Sequence, residues 1–110
     1  MLAIDYYFQR KGDIVRTYEL TVIVRINSDL ESNIAKVKDI LQKHGALIEN
    51  DQSWGSRRMA YEINGEREAH YLLLLIQTPA DSVAKIIAEF KLNQNILRYL
   101  FVVMPQKKTA

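Results

Sequence analysis

Tyr71-Leu72-Leu73-Leu74-Leu75-Ile76 is apolar at every position. A strand with one wetted face alternates apolar and polar residues, so a run apolar on both parities belongs to a central strand. Its length suits a strand and falls far short of the ~20 residues that cross a bilayer. Asn64-Gly65 precedes it, the dipeptide of a tight hairpin turn. The run must therefore pair antiparallel with the segment before it. A chain of 110 residues has room for one domain built around such a strand.

The rest of the chain supplies the neighbours. Tyr18, Leu20, Val22, Val24 and Ile26 share one parity, which predicts a first strand over Tyr18–Ile26. Ser28 with Glu31 has the spacing of a capping box and opens a helix with the stripe Leu30, Ile34, Val37, Ile40 and Leu41. Gly45 ends it. Leu47 to Ile63 reads as one long, irregular strand, with a bulge near Gly55 and with Met59, Tyr61 and Ile63 facing the core. The third strand covers Ala69–Gln77. Thr78 as cap and Pro79 at the first helical position start a second helix with the stripe Val83, Ile86, Ile87 and Phe90. Ile96–Val103 is the last strand, β-branched and aromatic.

The order βαββαβ predicts an α+β, ferredoxin-like split-βαβ fold, with two helices on one face of a four-stranded antiparallel sheet. The domain spans 16–104, between an apolar extension at 1–15 and a short basic tail at 105–110. The other sheet face has no helix to cover it. The last strand is apolar on both parities, Leu97, Tyr99, Phe101 and Val103 against Ile96, Leu100 and Val102. One set must point away from the helices, and an exposed apolar patch marks an interface. Leu97, Tyr99 and Phe101 are the candidate partner contacts. Alternatively, residues 1–15 fold back over that face.

Catalytic chemistry finds no foothold. The chain has no cysteine, which excludes disulfides and thiolate chemistry and is compatible with a reducing cytoplasm. His44 and His70 fit no metal-ligand spacing, so no metal and no cofactor are expected. No nucleophilic triad, paired-carboxylate motif or glycine-rich phosphate loop is present.

What stands out is Ser53-Trp54-Gly55-Ser56-Arg57-Arg58. Arginine forks match phosphate oxygens, and a tryptophan beside them could stack on an unpaired base. The plainer alternative is a surface arginine pair with Trp54 tucked into the core. Arg16, Arg98, Lys107 and Lys108 could extend a basic stripe, although each alone is more often a solvated charge. The net charge of +2 permits a nucleic-acid partner without demanding one.

Trp54-Gly55, a basic pair, then Met59-Ala60-Tyr61 and Ile63 form one motif. Tyr18-Glu19, Ala69-His70-Tyr71 and Asn93 through Arg98 add three more. With these together, the stretch from about Thr17 to Met104 resembles the family of the sixth protein of the bacterial small ribosomal subunit. The resemblance implies the same fold and a non-enzymatic, ribosome-bound role in the cytoplasm. It also implies binding of small-subunit ribosomal RNA as a heterodimer with ribosomal protein eighteen. Arg16, Arg58 and Arg98 fall where that pattern carries basic residues. Glu62 replaces its usual proline, and Val103 stands where a basic residue is common. Two other readings use the same fold. One is a small acyl-phosphate hydrolase relying on Arg25 and Asn27, which lacks the glycine-rich loop. The other is a ligand-sensing regulatory module that dimerises through its sheet.

Overall fold

A computed structural model describes residues 14–105. Its elements run β1 (Val15–Arg25), α1 (Leu30–Lys43), β2 (Leu47–Asp51), β3 (Gly55–Ile63), β4 (Glu66–Pro79), α2 (Ala80–Leu92) and β5 (Ile96–Val103). The sheet is antiparallel, ordered β2-β4-β1-β5, with β3 also on the outer edge of β4. The apolar run lies in β4, flanked on both sides as its pattern demands. The ferredoxin-like arrangement stands, with five strand segments in four positions.

The extra segment comes from the long second strand, which divides in two. Ser53 donates its backbone N–H to Asp51 Oδ1 at 3.0 Å, and Gly55 takes φ +78°, a left-handed value that favours glycine. The chain stays tied to β4 across this kink. Gln52 N–H donates to Leu73 O at 2.8 Å and Trp54 N–H to Tyr71 O at 3.0 Å. A second irregularity falls between Arg58 and Ile63. It buries Met59 and Ile63 but turns Tyr61 out to 68% exposure, contrary to the single-face expectation. The Asn64-Gly65 turn forms as expected, with φ of 49° and 82°.

Both helix starts differ from their sequence signals. Neither has a side-chain cap. At α1, Asp29 takes the cap position, and its N–H donates to Asn27 Oδ1 at 3.0 Å, so a local turn replaces the Ser28–Glu31 box. At α2, Pro79 is the cap and Thr78 is a fully buried strand residue.

The main core lies between helices and sheet. Leu20, Val22 and Val24 of β1 meet Leu72, Leu74 and Ile76 of β4, with Val37, Ile40 and Leu41 of α1 and Ile86 and Phe90 of α2 packed over them. A smaller cluster joins Met59, Ile63, Ala69 and Leu97, with Ile23 and Tyr71 against it. At the end of the sheet three asparagine amides close a ring. Asn27 Nδ2 donates to Asn95 Oδ1 at 3.2 Å, Asn95 Nδ2 to Asn33 Oδ1 at 3.3 Å, and Asn33 Nδ2 to Asn27 Oδ1 at 3.1 Å.

Candidate nucleic-acid interface

Residues paired across strands share a face. Leu20, Val22, Leu72 and Leu74 lie on the helix side, so the intervening residues of β1 and β4 form the open face. One row across it runs Gly55, Tyr71, Ile23, Arg98 through β3, β4, β1 and β5. The next row holds Arg57, Ala69 and Arg25. Strand spacing of about 4.8 Å puts Arg98 roughly 10 Å from Tyr71. Arginines 41 positions apart in sequence, Arg57 and Arg98, thus reach the same end of one face.

Trp54 adds the aromatic element. It is 57% exposed, not tucked into the core. Its ring stacks on Tyr71 at 6.0 Å between centroids and 21° between planes. Trp54, Tyr71, Arg57 and Arg58 line one cavity. Arg58 has the opposite parity to Arg57 and pairs across from Glu68, yet its side chain reaches that cavity as well.

Charge pairing separates these arginines from the others. Arg25 Nε lies 3.2 Å from Glu66 Oε1, although not aligned as a hydrogen bond, and Arg67 Nε lies 3.5 Å from Glu62 Oε2. Lys38 and Lys43 pair with Asp51 and Glu89. Arg16, Arg57, Arg58 and Arg98 have no ion pair among the described residues. The four do not form one stripe. Arg16 pairs with Thr78 at the far end of β1, about 30 Å from the Arg25 end at ~3.3 Å per residue. Lys107 and Lys108 lie outside the described residues, as does most of the 1–15 extension.

The far half of the open face mixes apolar and polar residues, with Thr21 between Leu73 and Leu100 and Glu19 between Leu75 and Val102. Leu73 and Leu75 are half-buried, while Leu100 and Val102 are 60% and 43% exposed. Sequence parity could not select this set, because both parities of β5 are apolar. The irregularity where Val24 pairs Ile96 but Ile23 pairs Arg98 decides it. Leu97 is the extra residue and buries in the smaller cluster. Tyr99 and Phe101 turn to the helix side, with centroids 5.7 and 6.2 Å from Phe90. Both also line an outer groove with Arg16, Val83 and Ile87. The three candidate partner residues therefore do not share one surface.

Other polar groups serve the scaffold. His44 Nε2 contacts Glu89 Oε2, and Lys43 Nζ lies 3.1 Å from Glu89 Oε1, tying α1 to α2. Those hydrogen bonds, His44's foremost, hold the Glu89 carboxyl below its ordinary range. At Asp51 burial works against the charge, but hydrogen bonds from Lys38 and Ser53 outweigh it and lower the carboxyl's pKa. Among the described residues no group of His, Asp and Glu could hold a metal, and no helix is long and apolar enough to cross a membrane. The hydrolase reading loses its two residues, since Arg25 faces Glu66 and Asn27 belongs to the amide ring.

Comparison with known proteins gives a consistent relationship. A family model described as ribosomal protein S6 matches residues 17–103. A small ribosomal subunit protein bS6 from Leptospira biflexa is 35% identical over 88 residues, covering 80% of this chain and 96% of that protein. The protein of the same name from Halalkalibacterium halodurans is 37% identical over 89 residues, covering 78% and 94%. The one from Bartonella bacilliformis is 37% identical over 65 residues, and the match spans only 48% of its length. Among solved structures, 30S ribosomal protein S6 from Thermotoga maritima superposes with a TM-score of 0.75 at 21% identity, covering 83% of this chain and 89% of that one. A homoserine dehydrogenase from Thiobacillus denitrificans gives 0.58 at 13% identity, matching 18% of its chain. At these identities the structural likenesses speak for the fold alone.

Proposed function

The chain belongs to the ribosomal protein S6 family, and from that membership we propose that it is a ribosome-bound, cytoplasmic, non-enzymatic constituent of the small subunit. In this role it binds small-subunit ribosomal RNA together with ribosomal protein eighteen. The observation that carries the RNA part is the grouping of Arg57 and Arg58 around Trp54, with Arg98 two strands away from Tyr71 on the same face and no carboxylate paired to any of the three among the described residues. Guanidinium groups in fixed positions replace counterions along a phosphate backbone, so binding is driven by counterion release and by shape. Few side chains read base edges.

The partner part rests on the exposed Leu100 and Val102, which share a face with Leu73 and Leu75 across β1, and on the outer groove holding Tyr99 and Phe101. A basic partner protein would add the charge that a chain of net +2 lacks. The regulatory-module reading has only a shared fold behind it.

Pull-down of the full chain from a ribosome-bearing lysate tests the proposal. RNA and a second small basic protein should be recovered with it. The double variant Arg57→Ala, Arg58→Ala should lose most of the RNA while unfolding at the same denaturant midpoint. With ~3–4 phosphate contacts, affinity should fall with salt at a log-log slope of about −2 to −4. Unchanged RNA recovery would return the pair to ordinary solvated surface.

A further inference from the structure

We infer that Trp54, Arg57 and Arg58 form a seat for a single unpaired nucleotide, with its base on the outer face of the indole and its phosphate on the guanidinium groups. The inference rests on the RNA-binding reading above and names what that surface takes.

Tyr71 backs one face of Trp54, and the other face is open, since the residue is 57% exposed. The stack on Tyr71 restrains the ring before any ligand arrives, and the backbone that carries it is fixed as well. Its backbone N–H is bonded to Tyr71 O at 3.0 Å, and the left-handed Gly55 fixes the turn immediately after it. An indole fixed in this way loses little rotational freedom when a base lies on it, so stacking contributes most of its free energy to binding. The cavity lined by Trp54, Arg57, Arg58 and Tyr71 measures about 450 Å³ and has no carboxylate in its wall. That room suits one nucleotide. The two unpaired arginines would leave an apolar protein segment poorly matched here, so the surroundings favour a nucleic acid. In the interior of a duplex both base faces are already stacked, so away from a helix end only an unpaired nucleotide can present one. Arg98, in the same row as Tyr71, lies where it can take a neighbouring phosphate.

Trp54 is the chain's sole tryptophan, so fluorescence excited at the red edge, where indole absorbs and the six tyrosines do not, reports on this seat alone. The test titrates the full chain with a ten-nucleotide unpaired RNA, a duplex of equal length whose two ends are covalently closed by non-nucleotide linkers capped with a stacked aromatic group, and AMP. The unpaired RNA should quench Trp54 at concentrations where the duplex leaves it bright. AMP should quench only at far higher concentration, lacking the neighbouring phosphates. With end-labelled unpaired RNA, anisotropy should show Trp54→Ala weakening binding by about tenfold, the order of one lost stack, and Trp54→Phe restoring most of it. Equal quenching by the duplex would overturn the seat, and so would Trp54→Ala binding as tightly as the parent chain. AMP acting at the same concentration as RNA would assign the cavity to free nucleotides instead. If the RNA-binding reading itself fails, no RNA binds to any variant. If only the seat fails, RNA binding persists with Trp54 unquenched.

Discussion

The two faces of β1 and β4 are made by alternate residues of the same two strands, yet they are built to different standards. On the helix side Leu20, Val22, Val24, Leu74 and Ile76 are wholly buried. On the open side Thr21, Ile23, Leu73 and Leu75 are half-buried, and on neighbouring β5 Leu100 and Val102 stand out in solvent. Burial of apolar area stabilises at about 25 cal/mol per Å², so the helix side carries the fold. The open side keeps apolar area in reserve at one end and arginines without ion pairs at the other. A strand that must serve both purposes divides them by parity.

The sharpest way to break that division is to truncate one residue on each side. Phe90→Ala should cost about 3–5 kcal/mol, as for other buried aromatics. Leu100→Ala should stay within about 0.5 kcal/mol, while Leu100→Asp should lose the partner protein from a pull-down without lowering the urea midpoint. Comparable costs for Phe90→Ala and Leu100→Ala would mean the open side is core. Next in size is the amide ring. Asn33→Ala leaves the Asn27 and Asn95 amides each short of a partner, and should cost about 1–3 kcal/mol by urea unfolding.

The smallest effect concerns the Glu89 tie between the helices. Hydrogen bonds depress its carboxyl from the ordinary value of 4.5. A depressed carboxyl stabilises above its unfolded pKa, and that stability is lost as pH falls through the folded value. The parent chain should therefore lose stability below about pH 4.5 more steeply than Glu89→Gln, which should be slightly weaker at pH 7. Parallel acid-unfolding curves would remove this tie from the account of the helix side.

Much of the helix side was legible in the amino-acid sequence. The apolar stripes of both helices, the run in β4 and the Asn64-Gly65 turn each follow from local periodicity or backbone preference. The open side was less so, for three physical reasons. Both parities of β5 are apolar, so the face each residue takes depends on one extra residue at Leu97, which no pattern announces. The path from Leu47 to Ile63 contains a break and a second irregularity, and parity cannot be carried through either, so Tyr61 faces solvent although it shares the parity of Met59 and Ile63. Finally, Arg57 and Arg98 come to the same end of the sheet only through the register of four strands, while Arg16 is carried to the opposite end. The exposure of Trp54 and its backing by Tyr71 are tertiary facts that the local motif does not carry.

The asparagine ring bears on how reversible the whole device is. Arg25 N–H donates to Asn95 O at 2.7 Å, so the ring and β1 together fix where β5 begins and hence where Arg98 emerges. Every hydrogen bond of that clasp joins neutral amide groups, the Arg25 contribution being its backbone N–H. Salt weakens what the arginines hold but barely touches the amides that aim them. A rise in ionic strength should strip RNA from a frame that keeps its shape, and dilution should restore binding at once, with no refolding step between.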